Sequence, residues 1–275
     1  MIKSYNLETS ELSFHKKLLI NYTEILSSIH KDFKNIKPIL SGSAAINLVV
    51  APSVENSDYD FYFNSEEHFN LARQFLFENK FKYKTETKNC IVFENKKNKK
   101  DIQLIKTFYG GVTNVLNNHD FINCSIAFEN NILYVKKQAF EYWRDKKLHL
   151  QNLQCNPKNY LNPTFSDLEI GTVLGFIVNL IQRINKYTNR YDLVFSEESI
   201  KKLKPIRDYI LKLHVNKKHK DKKIYFTNNI YYSSATKTDS YSIYINRFLK
   251  LLYIEDLKFS ISNSYQDLYY YFDFT

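Results

Sequence analysis

The segment Asp58–Phe63 limits the possible folds of this chain more than any other part of the sequence. Its six residues alternate between two faces, Asp58, Asp60 and Tyr62 on one and Tyr59, Phe61 and Phe63 on the other. Successive side chains of a β-strand point to opposite sides of the sheet. The alternation therefore predicts a strand with one buried aromatic face and two carboxylates that project together from the other face.

A Gly-Ser turn precedes this strand. The apolar pair Ile39-Leu40 leads into Ser41-Gly42-Ser43, and residues 44–50 have the composition of a short helix. Gly42 lets the backbone approach a ligand where a side chain would clash. Ser43 offers a hydroxyl and backbone N–H groups at the start of a helix, which suits the phosphates of a nucleotide. We therefore expect Ser41, Gly42 and Ser43 to bind a triphosphate.

The paired aspartates indicate a metal site. Two adjacent like charges repel unless a cation bridges them, and Mg²⁺ prefers carboxylate and phosphate oxygens. Asp101 opens a further predicted strand, residues 101–106, and shares a face with Gln103. If that strand lies beside the first, Asp101 adds a third carboxylate that could bind metal and help to deprotonate an attacking hydroxyl.

Two alternatives to this role of Asp101 stay open in the sequence. Asp101 follows the lysine-rich segment 96–100, and it could be a turn residue that is salt-linked to those lysines. Asp120 stands before a predicted strand, Phe121–Phe128, and could supply the third carboxylate instead. We expect the neighbouring His119 to be structural.

The ordered series Ile39-Leu40-Ser41-Gly42-Ser43, Asp58-Tyr59-Asp60-Phe61 and Asp101-Ile102 resembles the DNA polymerase β-like nucleotidyltransferase superfamily. The resemblance covers only the segment that holds these motifs. It implies a mixed β-sheet with flanking helices and the transfer of a nucleoside monophosphate from an NTP with release of pyrophosphate. It also implies that Asp58 and Asp60 hold two Mg²⁺ or Mn²⁺ ions and that Asp101 holds the catalytic one.

The wider pattern predicts an α+β protein with two domains. Residues 1–150 would form the nucleotidyltransferase-like domain, a mixed sheet with flanking helices, and residues 151–275 a mainly helical domain. Besides the segments above, helices are predicted at 10–33, 65–78, Phe165–Tyr187, 196–214 and 241–253, and strands at 81–87, 89–93 and 132–135.

The charge of the chain favours anionic partners. Lys and Arg number 39 against 29 Asp and Glu, a formal net charge of +10, and basic residues cluster between Lys201 and Lys223. A surplus of this kind is typical of proteins that bind nucleic acid or nucleotides. With the resemblance, it makes RNA, such as a tRNA end, the leading acceptor; a small molecule or a protein hydroxyl stays open. A catalytically inactive adaptor or subunit that binds nucleic acid or protein is the alternative.

The cysteines and apolar segments bear on the compartment. Cys90, Cys124 and Cys155 form no CxxC pair, which argues against structural zinc and against a disulfide framework. The longest apolar stretch, Val173–Ile181, is too short to span a bilayer, and we recognise no signal peptide. We expect no membrane partner and a cytoplasmic location, or an equivalent reducing compartment of a virus or organelle.

Overall fold

The computed structural model describes residues 1–54, 58–95, 98–152, 167–208, 246–253, 257–264 and 267–274. The chain divides into two compact units, Met1–Asn152 and Leu153–Thr275. In the first unit the elements are β1 (Ile2–Asn6), α1 (Ser13–Ile29), β2 (Ile39–Ser41), α2 (Gly42–Val49), β3 (Asp58–Tyr62), α3 (Glu66–Glu78), β4 (Lys82–Glu86), β5 (Cys90–Glu94), β6 (Asp101–Ile105), α4 (Gly111–Asn118), β7 (Ile126–Glu129), β8 (Ile132–Lys136), α5 (Lys137–Arg144) and β9 (Lys147–Leu148). Short 3-10 turns add Phe33–Ile36 and Ile122–Cys124.

An eight-stranded mixed sheet forms the centre of the first unit, with the order β1-β8-β7-β2-β3-β6-β5-β4. Strands β3 and β6 run parallel, and the other neighbouring pairs of this sheet are antiparallel. The parallel pair is possible because α3 and the β4–β5 hairpin make the long crossover that parallel strands need. The predicted α+β class, a mixed sheet with flanking helices, is confirmed.

One face of the sheet carries an aromatic core. Leu40 lies opposite both Phe61 and Phe128 in the register. Tyr22 of α1 stacks on Phe128 with ring centroids 5.2 Å apart, and Phe33 meets Phe61 edge-on at 5.2 Å. The predicted burial of the aromatic side of β3 is confirmed, because these side chains are almost completely inaccessible. Burying each large apolar side chain contributes roughly 1.5–3 kcal/mol.

The opposite face of the sheet carries both packing and polar groups. Val115 and Leu116 of α4 join Ile39, Tyr62 and Ala127 in a buried apolar cluster. Since Tyr62 belongs to this cluster, the alternation of β3 puts its two aspartates on the same face, nearer the start of the strand. The helix therefore covers one end of this face, and the half-exposed acids lie toward the other end.

Two regions of the first unit differ from the sequence expectations. The predicted strand Phe121–Phe128 is wrong in its first half, where a 3-10 turn stands in place of a strand. Asn123 explains the difference: its side chain donates to the Lys147 carbonyl and accepts from the His149 N–H, each at 2.9 Å. Such bonds compete with a strand ladder. Helix α4 was not predicted, because the pair Gly110-Gly111 at its start is typical of a turn.

The second unit contains α6 (Asp167–Tyr191), β10 (Val194–Phe195), α7 (Glu197–Lys202), β11 (Leu257–Ser264) and β12 (Asp267–Phe274). Residues 204–208 and 246–251 are also helical. The three predicted helices are thus present in the parts that are described. Ser196 caps α7, since its hydroxyl accepts from the Ser199 N–H at 3.2 Å. The antiparallel β11–β12 hairpin was not predicted.

Two expectations fall outside the described residues in whole or in part: the lysines at 96 and 97, and the part of the basic cluster Lys201–Lys223 that follows residue 208. Among the helices in the described part of the chain, none is long and apolar enough to cross a membrane.

Candidate active site

The turn between β2 and α2 is built around Gly42. Its backbone has a φ of +71°, and a Cβ added there would lie only 3.2 Å from Cγ of Asp60 and still closer to one carboxylate oxygen. Glycine is therefore required on two grounds, the left-handed backbone and the lack of space. As a result, the Asp60 carboxylate rests directly against the backbone of the turn.

Asp58 is held by two side-chain hydrogen bonds. Ser43 Oγ donates to Oδ1 of Asp58 at 3.1 Å, and Gln103 Nε2 donates to Oδ2 at 3.1 Å. Hydrogen bonds to an ionised acceptor are stronger than those between neutral groups. They fix the carboxylate in one orientation and connect the Gly-Ser turn to both central strands.

Asp101 lies beside Asp58 in the sheet. In the parallel pairing of β3 and β6, Asp58 is opposite Asp101 and Asp60 is opposite Gln103. Neighbouring strands are about 4.8 Å apart and paired residues project from the same face. The three aspartates are therefore brought together on one face of two adjacent strands. The predicted position of Asp101 is observed, while the roles of all three residues stay predictions.

Lys84 joins this group, and sequence reasoning did not identify it. Its Nζ lies 2.8 and 3.0 Å from the two carboxylate oxygens of Asp101. The register between β4 and β5 shifts between Tyr83 and Thr85, so Lys84 is the extra residue of a β-bulge. The ammonium passes across β5 to reach β6. The hydrogen bond to Asp101 is the main reason that the pKa of Lys84 is raised.

Ser41, His119 and Asp120, the other residues considered from the sequence, lie mostly in the protein interior. Ser41 Oγ donates to the Ile126 carbonyl at 2.7 Å and lies 2.9 Å from His119 Nε2, all in the buried interior. A ligand could thus meet Ser41 only through its backbone, and nucleotide binding there stays a prediction. His119 has the expected structural setting. Asp120 is buried and lies between α4 and the 3-10 turn, so the expectation that it begins a strand is wrong.

The donor set suits a hard divalent cation such as Mg²⁺, because it consists of carboxylates beside a hydroxyl and a side-chain amide. Within the part of the chain that the structure describes, no three His, Cys, Asp or Glu side chains are close enough together to hold a metal. Lys84 engages both oxygens of Asp101, and Ser43 and Gln103 engage those of Asp58. A cation at Asp101 would therefore have to replace the lysine.

Comparison with known families gives one match over this region. The model of the family described as "Gad2: Gabija anti-defense 2 family protein" matches residues 13–146. This segment is just under half of the chain. It contains the Gly-Ser turn and the three aspartates. The sequence is therefore similar to that family in the unit that carries the candidate site. Comparison with curated proteins gives no significant match.

The fold also has similar solved structures, among them CCA-adding enzymes. A Thermotoga maritima CCA-adding enzyme complexed with tRNA aligns at 13% identity and a TM-score of 0.47, over 86% of this chain and 50% of that one. A CCA-adding enzyme with CTP aligns at 13% identity and 0.48, over 86% and 49%. The chain thus spans about half the length of these structures.

Proposed function

We propose that this protein is a metal-dependent nucleotidyltransferase, which moves a nucleoside monophosphate from an NTP to a hydroxyl acceptor. The observation that carries the proposal is the register of β3 and β6, which pairs Asp58 with Asp101 on the face where Asp60 meets the Gly42 turn. Three carboxylates beside a helix start provide sites for a divalent cation and for a triphosphate.

The residues of the turn would bind and orient the phosphates. Gly42 leaves the backbone accessible, and the first N–H groups of α2 have no partners within the helix and carry its positive dipole end. Ser43 would keep Asp58 aligned through its hydrogen bond. Asp101 would accept the proton of the attacking hydroxyl or hold the group that does so.

The implied cations are two Mg²⁺ or Mn²⁺ ions; Asp58 and Asp60 would hold both, and Asp101 would hold the catalytic one. When bound, they would neutralise charge on the transferred phosphate and on the pyrophosphate leaving group. Lys84 would have to release Asp101 at that point, which leaves a free ammonium at the edge of the site. In this position the ammonium could pair with a phosphate oxygen.

The leading acceptor is RNA, including a tRNA end. The support is the net charge of +10, because basic proteins attract polyanions. The base of the NTP and the number of nucleotides added stay open. Incubation with each α-labelled NTP and total RNA, followed by identification of the labelled molecule, would identify both substrates.

The central test compares four conservative variants. Asp58→Asn and Asp60→Asn should abolish Mg²⁺-dependent incorporation of the label, with circular dichroism like that of the wild type. Asp101→Asn should do the same if it is the third carboxylate, and Asp120→Asn should retain turnover. Full turnover in Asp58→Asn and Asp60→Asn would refute the proposed activity. Loss of turnover in Asp120→Asn, with turnover retained in Asp101→Asn, would assign the role of third carboxylate to Asp120.

A second candidate is a catalytically inactive adaptor that binds nucleic acid or protein. The ion pair of Lys84 with both oxygens of Asp101 favours it, because a carboxylate that stays paired with a lysine is less available to a cation. The description of the matched family is compatible with either candidate. We propose that the protein counteracts the defence system named in that description.

Infection of cells that carry that system separates the two candidates. If transfer is the mechanism, wild-type protein should relieve the defence and Asp58→Asn should not, at equal expression. Equal relief by both proteins, together with no NTP-dependent and Mg²⁺-dependent thermal shift of the wild type, would identify an adaptor.

A further inference from the structure

We propose that a basic groove in the first unit, away from the three aspartates, binds the phosphodiester backbone of a nucleic acid. The groove has a volume of about 530 Å³ and lies between the C-terminal half of α1, the 3-10 turn Phe33–Ile36 and the β7–β8 turn. Lys31, Lys34 and Lys37 all line it. We call it the lysine groove.

The ammonium groups of the lysine groove are available to a ligand. All three lysines are exposed, and none forms an ion pair with another described residue. The acid next to them in the chain, Asp32, lies 3.6 Å from His30 instead. Three unpaired cations in a concave surface raise the local concentration of anions.

Two acids, Glu8 and Glu129, act on residues of the groove lining without belonging to it. Burial is the main reason that the pKa of Tyr22, a lining residue, is raised, and the nearby charge of Glu129 raises it further. The Glu129 carboxylate accepts a hydrogen bond from Asn64 Nδ2 at 2.7 Å. Glu8 accepts a hydrogen bond from the lining residue Asn131 at 2.7 Å. The described lining itself contains three lysines and no acid, so the surface that a ligand would contact is positively charged.

The lining indicates phosphates rather than bases or lipids. Tyr22 is the aromatic residue of the lining, and only 1% of it is exposed, so the groove offers no open ring on which a base could stack. Leu26 is 5% exposed and cannot insert into a bilayer. Lysines with neighbouring amide and hydroxyl groups are typical of contacts to a nucleic-acid backbone, which carry little sequence information.

The lysine groove is separate from the carboxylate site. Pro38, which lines the groove, precedes β2, and Gly42 follows that strand. At about 3.3 Å per residue, the two lie roughly 13 Å apart along β2. The groove would therefore bind nucleic acid whether or not the protein transfers a nucleotide, and it would hold an acceptor at a distance from the reacting end.

The experiment measures binding of a fluorescent 20-nucleotide single-stranded RNA to the full chain, by anisotropy, without NTP or divalent cation. The test variant is Lys31→Gln/Lys34→Gln/Lys37→Gln. The matched control, Lys3→Gln/Lys16→Gln/Lys17→Gln, removes the same charge from three exposed lysines outside the groove lining. Thermal melting checks that both variants fold.

We expect the test variant to bind at least tenfold more weakly and the control to bind within about threefold of the wild type. With about 0.7 counterions released per phosphate contact on a single strand, the slope of log K against log salt should fall by about 2 in the test variant only. Changing the RNA sequence should leave these differences unchanged.

Equal losses in both triple variants, or wild-type affinity in the test variant, would overturn the proposal. The proposal would also fail if poly-glutamate displaced the RNA as effectively as inorganic polyphosphate does, because the groove would then bind any polyanion rather than phosphates in particular. Asp58→Asn should bind RNA like the wild type. Failure of the transferase proposal would appear in the incorporation assay and leave these binding results unaffected.

Discussion

The two halves of the candidate site are held in different ways. The inner half, on β2, α2 and β3, consists of Gly42, Ser43, Asp58 and Asp60, and it is fixed by a left-handed turn and by packing against the sheet. The outer half, on β6 and β4, is the ion pair of Asp101 with Lys84, whose side chains are 30% and 40% exposed. The inner half is thus set by shape, and the outer half by charge.

This difference predicts different responses to change. At Gly42 an added side-chain atom would displace the Asp60 carboxylate, and the positive φ would add backbone strain. An exposed ion pair contributes little to stability, and water, salt or another cation can replace either partner. We therefore expect the inner half to decide whether the site exists, and the outer half to adjust how it responds to cations.

The largest effect is expected for Gly42→Ala. The positive φ costs about 1–2 kcal/mol for a residue with a side chain, and the new methyl group would push the Asp60 carboxylate out of place. Incorporation of labelled NTP and the NTP-dependent thermal shift should both be lost, and urea unfolding should show the reduced stability.

Gly110→Ala is the matched control for this change. Gly110 also has a positive φ, +103°, but the nearest atom to an added Cβ there is 3.6 Å away. It should lose stability by a similar amount and keep its activity. If both variants lose activity equally, strain alone explains the result and the close approach of Asp60 has no special role.

A smaller effect is expected for Ser43→Ala. Loss of the hydrogen bond to Asp58 should cost about 0.5–1.5 kcal/mol and lower the incorporation rate about tenfold, since the carboxylate loses one of its two fixed partners.

Ser41→Ala should show the reverse pattern in the same assays. It removes two buried hydrogen bonds, so stability falls more than activity. The same pattern in both variants would contradict this division of roles.

A severalfold effect on cation binding is expected for Lys84→Ala. Without its ammonium, Asp101 is free to meet a divalent cation, so Mg²⁺-dependent or Mn²⁺-dependent thermal stabilisation should reach its midpoint at a lower concentration. Lys82→Ala, on the same strand and paired with Glu94 at 3.4 Å, removes an equal charge and should leave that midpoint unchanged. A higher midpoint in Lys84→Ala would mean that the lysine assists the cation rather than competing with it.

The smallest effect concerns pH. The pKa of Lys84 is raised by its bond to Asp101, so the stabilisation from this pair is present below the ordinary pKa of 10.5 and is lost as pH rises through the higher folded value. The difference in unfolding midpoint between wild type and Lys84→Ala should persist at pH 8 and shrink as the pH rises beyond 10.5. A difference that stays constant well beyond that pH would show that the ion pair is not its source.

The sequence predicted the inner half of the site more completely than the outer half. Local patterns carry the inner half: the Gly-Ser turn and the alternation of Asp58 and Asp60 lie within twenty residues and follow from strand and turn geometry. The position of Asp101 beside this pair could be predicted from its strand and from the resemblance to a known superfamily, although its role is untested.

The contact from Lys84 could not be predicted, because it depends on a β-bulge in an exposed strand. A bulge shifts one residue relative to its partner strand, and the composition of residues 82–86 alternates in the same way with or without it. Likewise, the 3-10 turn after Asp120 depends on side-chain bonds from Asn123 to residues that lie more than twenty positions away. Local pattern contains no information about such partners.

The parallel pairing of β3 with β6 also has a consequence for the order of folding. The contacts around Gly42 and Asp60 join segments close in sequence, whereas α3 and the β4–β5 hairpin separate Asp58 from Asp101 along the chain. Contacts between distant segments generally form later than local ones. During synthesis, therefore, the Gly-Ser turn and both β3 aspartates should be assembled before the third carboxylate arrives, and pulsed hydrogen exchange should protect the amides of β2 before those of β6.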